Sequence, residues 1–98
     1  VYKRQLHELR GQVYPLSDEL TDIGRGSGNN IVIRDEKTSD QHARVRVNED
    51  QQFVLWDLAS TNGTFVNDER IIAATPLIEN DRIKIGTTVM ILKTIDPS

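Results

Sequence analysis

An all-β fold is predicted for this 98-residue chain: an antiparallel sandwich or barrel built from many short strands. Three observations carry the prediction. Branched apolar residues alternate with basic ones in period two, turn-forming residues recur about every six to twelve positions, and no window of eleven or more residues has apolar positions at helical spacing. Pro15 and Pro76 interrupt the stretches where a helix would otherwise be forced, so helix should be minor.

Taken in order, residues 1–5 read as a frayed start, and Arg10-Gly11 and Ser17-Asp18 read as turns. Leu20-Thr21-Asp22-Ile23 is a strand that delivers Gly24-Arg25 to its end. A flexible Gly26-Ser27-Gly28-Asn29-Asn30 loop follows, then a second strand around Ile31-Val32-Ile33. Ala43-Arg44-Val45-Arg46-Val47 and Arg82-Ile83-Lys84-Ile85 alternate cleanly, as strands with one wet face do. Phe53-Val54-Leu55-Trp56 and Val89-Met90-Ile91-Leu92 are apolar throughout and are expected in the core, buried on both sides or pairing at a sheet centre. Between these runs, Asn62-Gly63 carries the signature of a two-residue hairpin turn, which needs positive φ at both central positions. Asn48-Glu49-Asp50, Asn67-Asp68, Glu79-Asn80-Asp81 and Gly86-Thr87 mark further turns, and residues 96–98 read as a frayed end.

Length and composition bound the function. The chain fits one domain, residues 1–98, which we read as excised from a longer polypeptide because it opens on Val1. With 37% hydrophobic and 28% charged residues it falls in the ordinary globular class rather than the disordered one. A net charge of -3 supplies no broad basic face, so general binding to a nucleic-acid backbone is not expected. No apolar run reaches the roughly 20 residues of a membrane span, and no signal-type segment opens the chain. The absence of cysteine excludes disulfides, thiolate metal sites and cysteine nucleophiles, and the default reading is an intracellular, cytoplasmic monomer. Two histidines without clustered carboxylates argue against a metal, and no cofactor is expected.

Chemistry gathers at three places. Arg25, Ser39 and the run Ser60-Thr61-Asn62-Gly63-Thr64 stand at the ends of three strand-like runs, where loops on a rigid sheet carry binding residues. Alone, Arg25 is an ordinary surface charge and Ser39 an ordinary turn hydroxyl. Together, one guanidinium, several hydroxyls and a carboxamide suit a dianionic oxyanion, with no nucleophile or metal ligand among them. Gly24-x-Gly26-x-Gly28 is set aside as a dinucleotide loop because a strand follows it where that motif requires a helix. Ser39, His42 and Asp57 have the residue types of a hydrolase triad, but Ser39 and His42 lie three apart in one short loop. An enzyme is therefore not expected.

The order of these residues closely resembles the forkhead-associated (FHA) domain family. Gly24, Arg25, Asn30, Ser39, His42, Asp57, Leu58, Ser60, Asn62, Gly63, Thr64, Val66, Asn67, Leu77, Asn80, Asp81, Ile83 and Gly86 follow its pattern in register. The match runs from about Gly11 to Leu92, the expected core. The resemblance implies a sandwich of about 10–11 strands whose loops at one end bind phosphothreonine in an extended peptide. Arg25 and Ser39 would contact the phosphate, Ser60 and Thr61 would help hold phosphate or neighbouring backbone, and Asn62 would bond the peptide main chain. Gly24, His42, Gly63 and Thr64 would support the site, His42 by bracing the loops. Lys37 would favour an acidic residue three positions beyond the phosphothreonine, and Asp40, where the family commonly places a basic or neutral residue, would penalise acidic residues closer in.

Physical chemistry points the same way. Phosphothreonine carries about -1.5 to -2 charges at neutral pH, and an arginine fork meets two of its oxygens at once. After the ordering cost of a flexible peptide, about -7 to -9 kcal/mol remains, hence roughly micromolar affinity. The expected partner is a phosphothreonine-containing protein or a tail of the same polypeptide. The alternative is a domain of the same fold that docks through a sheet face independently of phosphorylation.

Overall fold

A computed structural model of the chain describes residues 3–95 and resolves them into eleven strands, with no helix among the described residues. They are β1 (Lys3–Glu8), β2 (Val13–Pro15), β3 (Leu20–Gly24), β4 (Ile31–Val32), β5 (Ala43–Val47), β6 (Phe53–Asp57), β7 (Thr64–Val66), β8 (Glu69–Arg70), β9 (Thr75–Leu77), β10 (Arg82–Ile85) and β11 (Thr88–Ile95). One sheet has the order β2-β1-β11-β10-β7-β8 and the other β4-β3-β5-β6-β9. Alternation dictates what lies between them. Leu6 pairs with Leu92, Ile83 with Met90, Val45 with Leu55 and Phe53 with Leu77. All eight of these side chains are buried, and they form the greater part of a single core between the sheets.

Several expectations need correction. The sandwich is antiparallel except for β3 and β4, which pair in parallel through Ile23 with Ile31 and Gly24 with Val32. So short a parallel pair needs no long crossover, because the chain retreats by only one residue between Gly24 and Ile31. The two apolar runs pair inside their sheets but are not buried on both faces. Trp56 stays 36% exposed, and Val54, Val89 and Ile91 are half-buried, because the outer faces of both sheets are uncovered. Lys3, Arg4 and Gln5 are not frayed: they pair along β11 with Ile95, Thr94 and Lys93. The remaining residues of the two expected frayed ends, 1–2 and 96–98, lie outside the described residues.

Asn62-Gly63 is not the two-residue hairpin turn. Its φ is positive at Gly63 (90°) but not at Asn62, and the segment carries the chain from β6 in one sheet to β7 in the other. The tight hairpin is instead Asn67-Asp68 between β7 and β8, with φ of 51° and 73°. Strand direction then places the site. β3 and β6 end, and β5 and β7 begin, at one end of the sandwich, so the β3–β4, β4–β5 and β6–β7 loops converge there.

Candidate functional site: a cradle of three loops

Backbone bonds seat the first loop against the second. The Arg25 N–H donates to the Ser39 carbonyl at 2.9 Å and the Gly26 N–H to the Asp40 carbonyl at 3.2 Å. This close approach explains Gly24, since a Cβ there would collide with the Asp40 carbonyl. Asn29 completes the seam: its Nδ2 donates to the Gly26 carbonyl at 2.8 Å and to the Asp40 carbonyl at 2.6 Å. Asn29 went unnoticed in the sequence. The only signal there was a carboxamide in a glycine-rich loop, where side-chain bonds to local backbone are common.

The third loop is tied to the second by two contacts that bring the expected residues together. Ser39 Oγ accepts the Thr61 N–H at 3.1 Å, and Asn62 Nδ2 donates to the Lys37 carbonyl at 2.9 Å. With a lone pair of Ser39 Oγ engaged, its hydroxyl hydrogen is left to donate outward. Arg25, Thr61 and Asn62 are exposed, and Arg25 takes part in neither ion pair found among the described residues, Arg44 with Asp22 or Arg82 with Asp68. A cation, a directed hydroxyl and a carboxamide thus share one rim. Two grooves elsewhere on the molecule, about 600 and 1210 Å³, are lined by other residues, although Lys37 borders the smaller.

His42 lies beneath the rim, fully buried. Its Nδ1 accepts the Ser39 N–H at 3.0 Å, and its Nε2 donates to the Gly63 carbonyl at 2.8 Å. Both ring nitrogens are spent on backbone, so the imidazole fixes two loops and is not positioned as a base for the Ser39 hydroxyl. Ser60 stands apart from the expectation that it contacts ligand. It is only 8% exposed; its hydroxyl donates to Asp57 Oδ1 at 2.5 Å and accepts the Gly63 N–H at 3.0 Å, which turns it into the loop. Buried Thr64 also donates to Asp57 Oδ1, at 2.7 Å. Partial burial pushes the Asp57 carboxyl up, but the Ser60 and Thr64 hydroxyls and the Ser60 N–H outweigh it and hold the pKa below its ordinary value. Gly63 is required by its φ of 90°.

Two further acids frame the second loop. Asp35 accepts the Lys37 N–H at 2.9 Å and the N–H and hydroxyl of Thr87, each at 2.5 Å, which lashes the β4–β5 loop to the β10–β11 turn. The Thr87 hydroxyl, then the Lys37 and Thr87 N–H groups, lower its pKa to about 2. Asp40 is exposed, with its Cβ alongside Gly26 and the loop that carries Arg25. No group of three or more metal-ligating side chains occurs among the described residues.

Fold and rim together define a β-sandwich interaction module with polar side chains gathered on three loops at one end. The chain belongs to the FHA domain family, whose model matches residues 21–86. The transcriptional regulatory protein EmbR of Mycobacterium tuberculosis is 41% identical over 81 residues, covering 82% of this chain and 21% of EmbR. The FHA domain-containing protein FhaB of the same organism is 35% identical over 86 residues, 88% of this chain and 51% of FhaB. The chain thus spans between about a fifth and a half of these relatives. A structure of M. tuberculosis EmbR in complex with a low-affinity phosphopeptide superposes with a TM-score of 0.88 at 34% identity, over 93% of this chain and 24% of that one.

Proposed function

We propose that this domain is a reversible reader of phosphothreonine in extended peptide segments of a partner protein or of its own polypeptide. Arg25 meets the phosphate with its fork, the Ser39 hydroxyl and the Thr61 region complete the anion's partners, and Asn62 holds the peptide main chain. The observation that carries this reading is the Ser39–Thr61 bond, in which Ser39 Oγ accepts and its hydroxyl is left to donate on the same rim as Arg25, which joins no ion pair among the described residues. Gly24, His42, Ser60, Gly63 and Thr64 support the site without touching ligand. Lys37 and Asp40 tune selectivity around the phosphothreonine. The rim binds and does no chemistry, since the one histidine near the serine is committed to backbone.

Calorimetric titration of matched peptides bearing threonine, phosphothreonine or phosphoserine tests the reading. Micromolar binding of the phosphothreonine form alone is expected. A second reading, docking through a sheet face regardless of phosphorylation, draws on one observation. The outer face of β3, β5 and β6 exposes Leu20 (46%) opposite Arg46 and Trp56 (36%) opposite Arg44. Equal affinity for all three peptides would favour it.

A further inference from the structure

The larger of the two grooves described above, about 1210 Å³, lies at the end of the sandwich opposite the cradle. β6 begins in it at Phe53 and ends four residues later at Asp57, beneath the cradle, so roughly 13 Å of strand separates the two regions. Its floor is apolar, made by Leu16 and Phe53 with half-buried Val47 beside them. Its rim carries Asp18, Glu19 and Glu49 from the β2–β3 and β5–β6 connections. None of these carboxylates has an ion pair or a side-chain hydrogen bond among the described residues. Among the described residues, the one cation lining the groove, Arg4, is held over the Phe53 ring at 5.0 Å.

We propose that this distal groove docks a cationic segment of a partner protein, with lysines or arginines flanking an aliphatic anchor. Exposed Pro15 and half-buried Val47 offer apolar area to the anchor above the buried Leu16 and Phe53, and among the described residues three unpartnered carboxylates against one occupied arginine leave a local excess of negative charge. The same excess repels nucleic acid and anionic lipid. A second copy of the chain, itself at net charge -3, is opposed in the same way. Because the groove is built from the other ends of the strands, occupancy there leaves the phosphate cradle open. A partner held at the groove would raise the effective concentration of its own phosphothreonine at the cradle, and it would stay docked when that residue is dephosphorylated.

The test uses the domain as it stands and three short peptides: Lys/Arg-rich with central leucines, the same with glutamate for each basic residue, and the same with serine for each leucine. Titration by calorimetry and by backbone amide shifts is expected to show saturable binding of the first only, with shifts confined to residues 15–19 and 47–53. Glu19→Lys with Glu49→Lys should weaken it by about tenfold or more, while phosphothreonine-peptide affinity and thermal stability stay unchanged. The proposal is overturned if the first peptide does not saturate, if the serine peptide binds equally, if the shifts centre on Arg25 and Ser39, or if sedimentation shows the groove closed by self-association.

Discussion

The hydroxyl oxygen of Ser39 and the backbone N–H of Thr61, 22 positions apart in sequence, meet at 3.1 Å and join two loops from different strands. Ser39→Ala removes both this tie and the hydroxyl proposed to meet the phosphate. Thr61 is exposed, so water can replace the lost partner of its N–H, and the fold should lose less than about 1 kcal/mol. Phosphopeptide affinity should fall by about 1.5–3 kcal/mol, the range of a charge-assisted bond. Calorimetry on the variant separates the two effects; undiminished affinity would remove Ser39 from the anion's partners.

Among the described residues Arg25 makes no ion pair, so replacing it costs the fold little. Arg25→Ala should weaken phosphothreonine-peptide binding by about 2–5 kcal/mol, because the anion loses its central cation while still being desolvated. Arg25→Lys should recover only part of the loss, since a point charge replaces a planar fork that engages two oxygens. A lysine variant equal to wild type would show that charge alone suffices.

What the sequence disclosed, and what it hid, follows from the range of the interactions involved. Alternation at Ile83 and Ile85 or at Val45 is a local property of strands, and it reads out directly as the inward face of the sandwich. The gathering of Arg25, Ser39 and Asn62 was readable because each ends a strand-like run, and their loops do share one end. Turn chemistry was harder. Asn62-Gly63 and Asn67-Asp68 both carry turn residues, and only the sheet assignment shows that the first crosses between sheets while the second makes the hairpin. The directions of Ser60 and Asn29 depend on partners in three dimensions, Asp57 for one and the Asp40 carbonyl for the other. No spacing in the chain encodes those directions.

His42 has no exposed surface and serves two backbone groups. His42→Ala opens a cavity and leaves the Ser39 N–H and the Gly63 carbonyl without a partner, so it should destabilise the domain by about 3 kcal/mol or more. Urea unfolding gives the number. A midpoint within error of wild type would mean that the two loops are held by other contacts.

Asp35 sets the acid limit of the second loop. Its pKa is lowered to about 2 in the folded domain from an unfolded value of 3.8. A carboxyl with a depressed folded pKa adds stability above its unfolded pKa and loses it as pH falls through the folded value. Its contribution should therefore be full above about pH 5 and disappear between about pH 4 and 2. Asp35→Asn should lower stability at neutral pH and flatten the decline over that acid window, as followed by urea midpoints across pH. Parallel curves for variant and wild type would break the link to Thr87.

Binding has its own pH dependence, set by the phosphate of the ligand. The second proton of a phosphate ester adds near pH 6, so affinity for the phosphothreonine peptide should fall between pH 7.5 and 5 as the dianion becomes a monoanion. Asp40 is exposed beside the loop that carries Arg25. At about 7 Å from one phosphate charge its carboxylate costs roughly 0.6 kcal/mol in water and about 2.4 at an effective dielectric of 20. Exposure favours the lower figure, so Asp40→Asn should tighten binding at pH 7.5 by about two- to fivefold. That repulsion scales with the charge on the phosphate, so the advantage of the variant should narrow at pH 5. Calorimetric titrations of both proteins at several pH values read the two effects together. A constant ratio of affinities across that range would mean that Asp40 acts on a part of the peptide other than the phosphate.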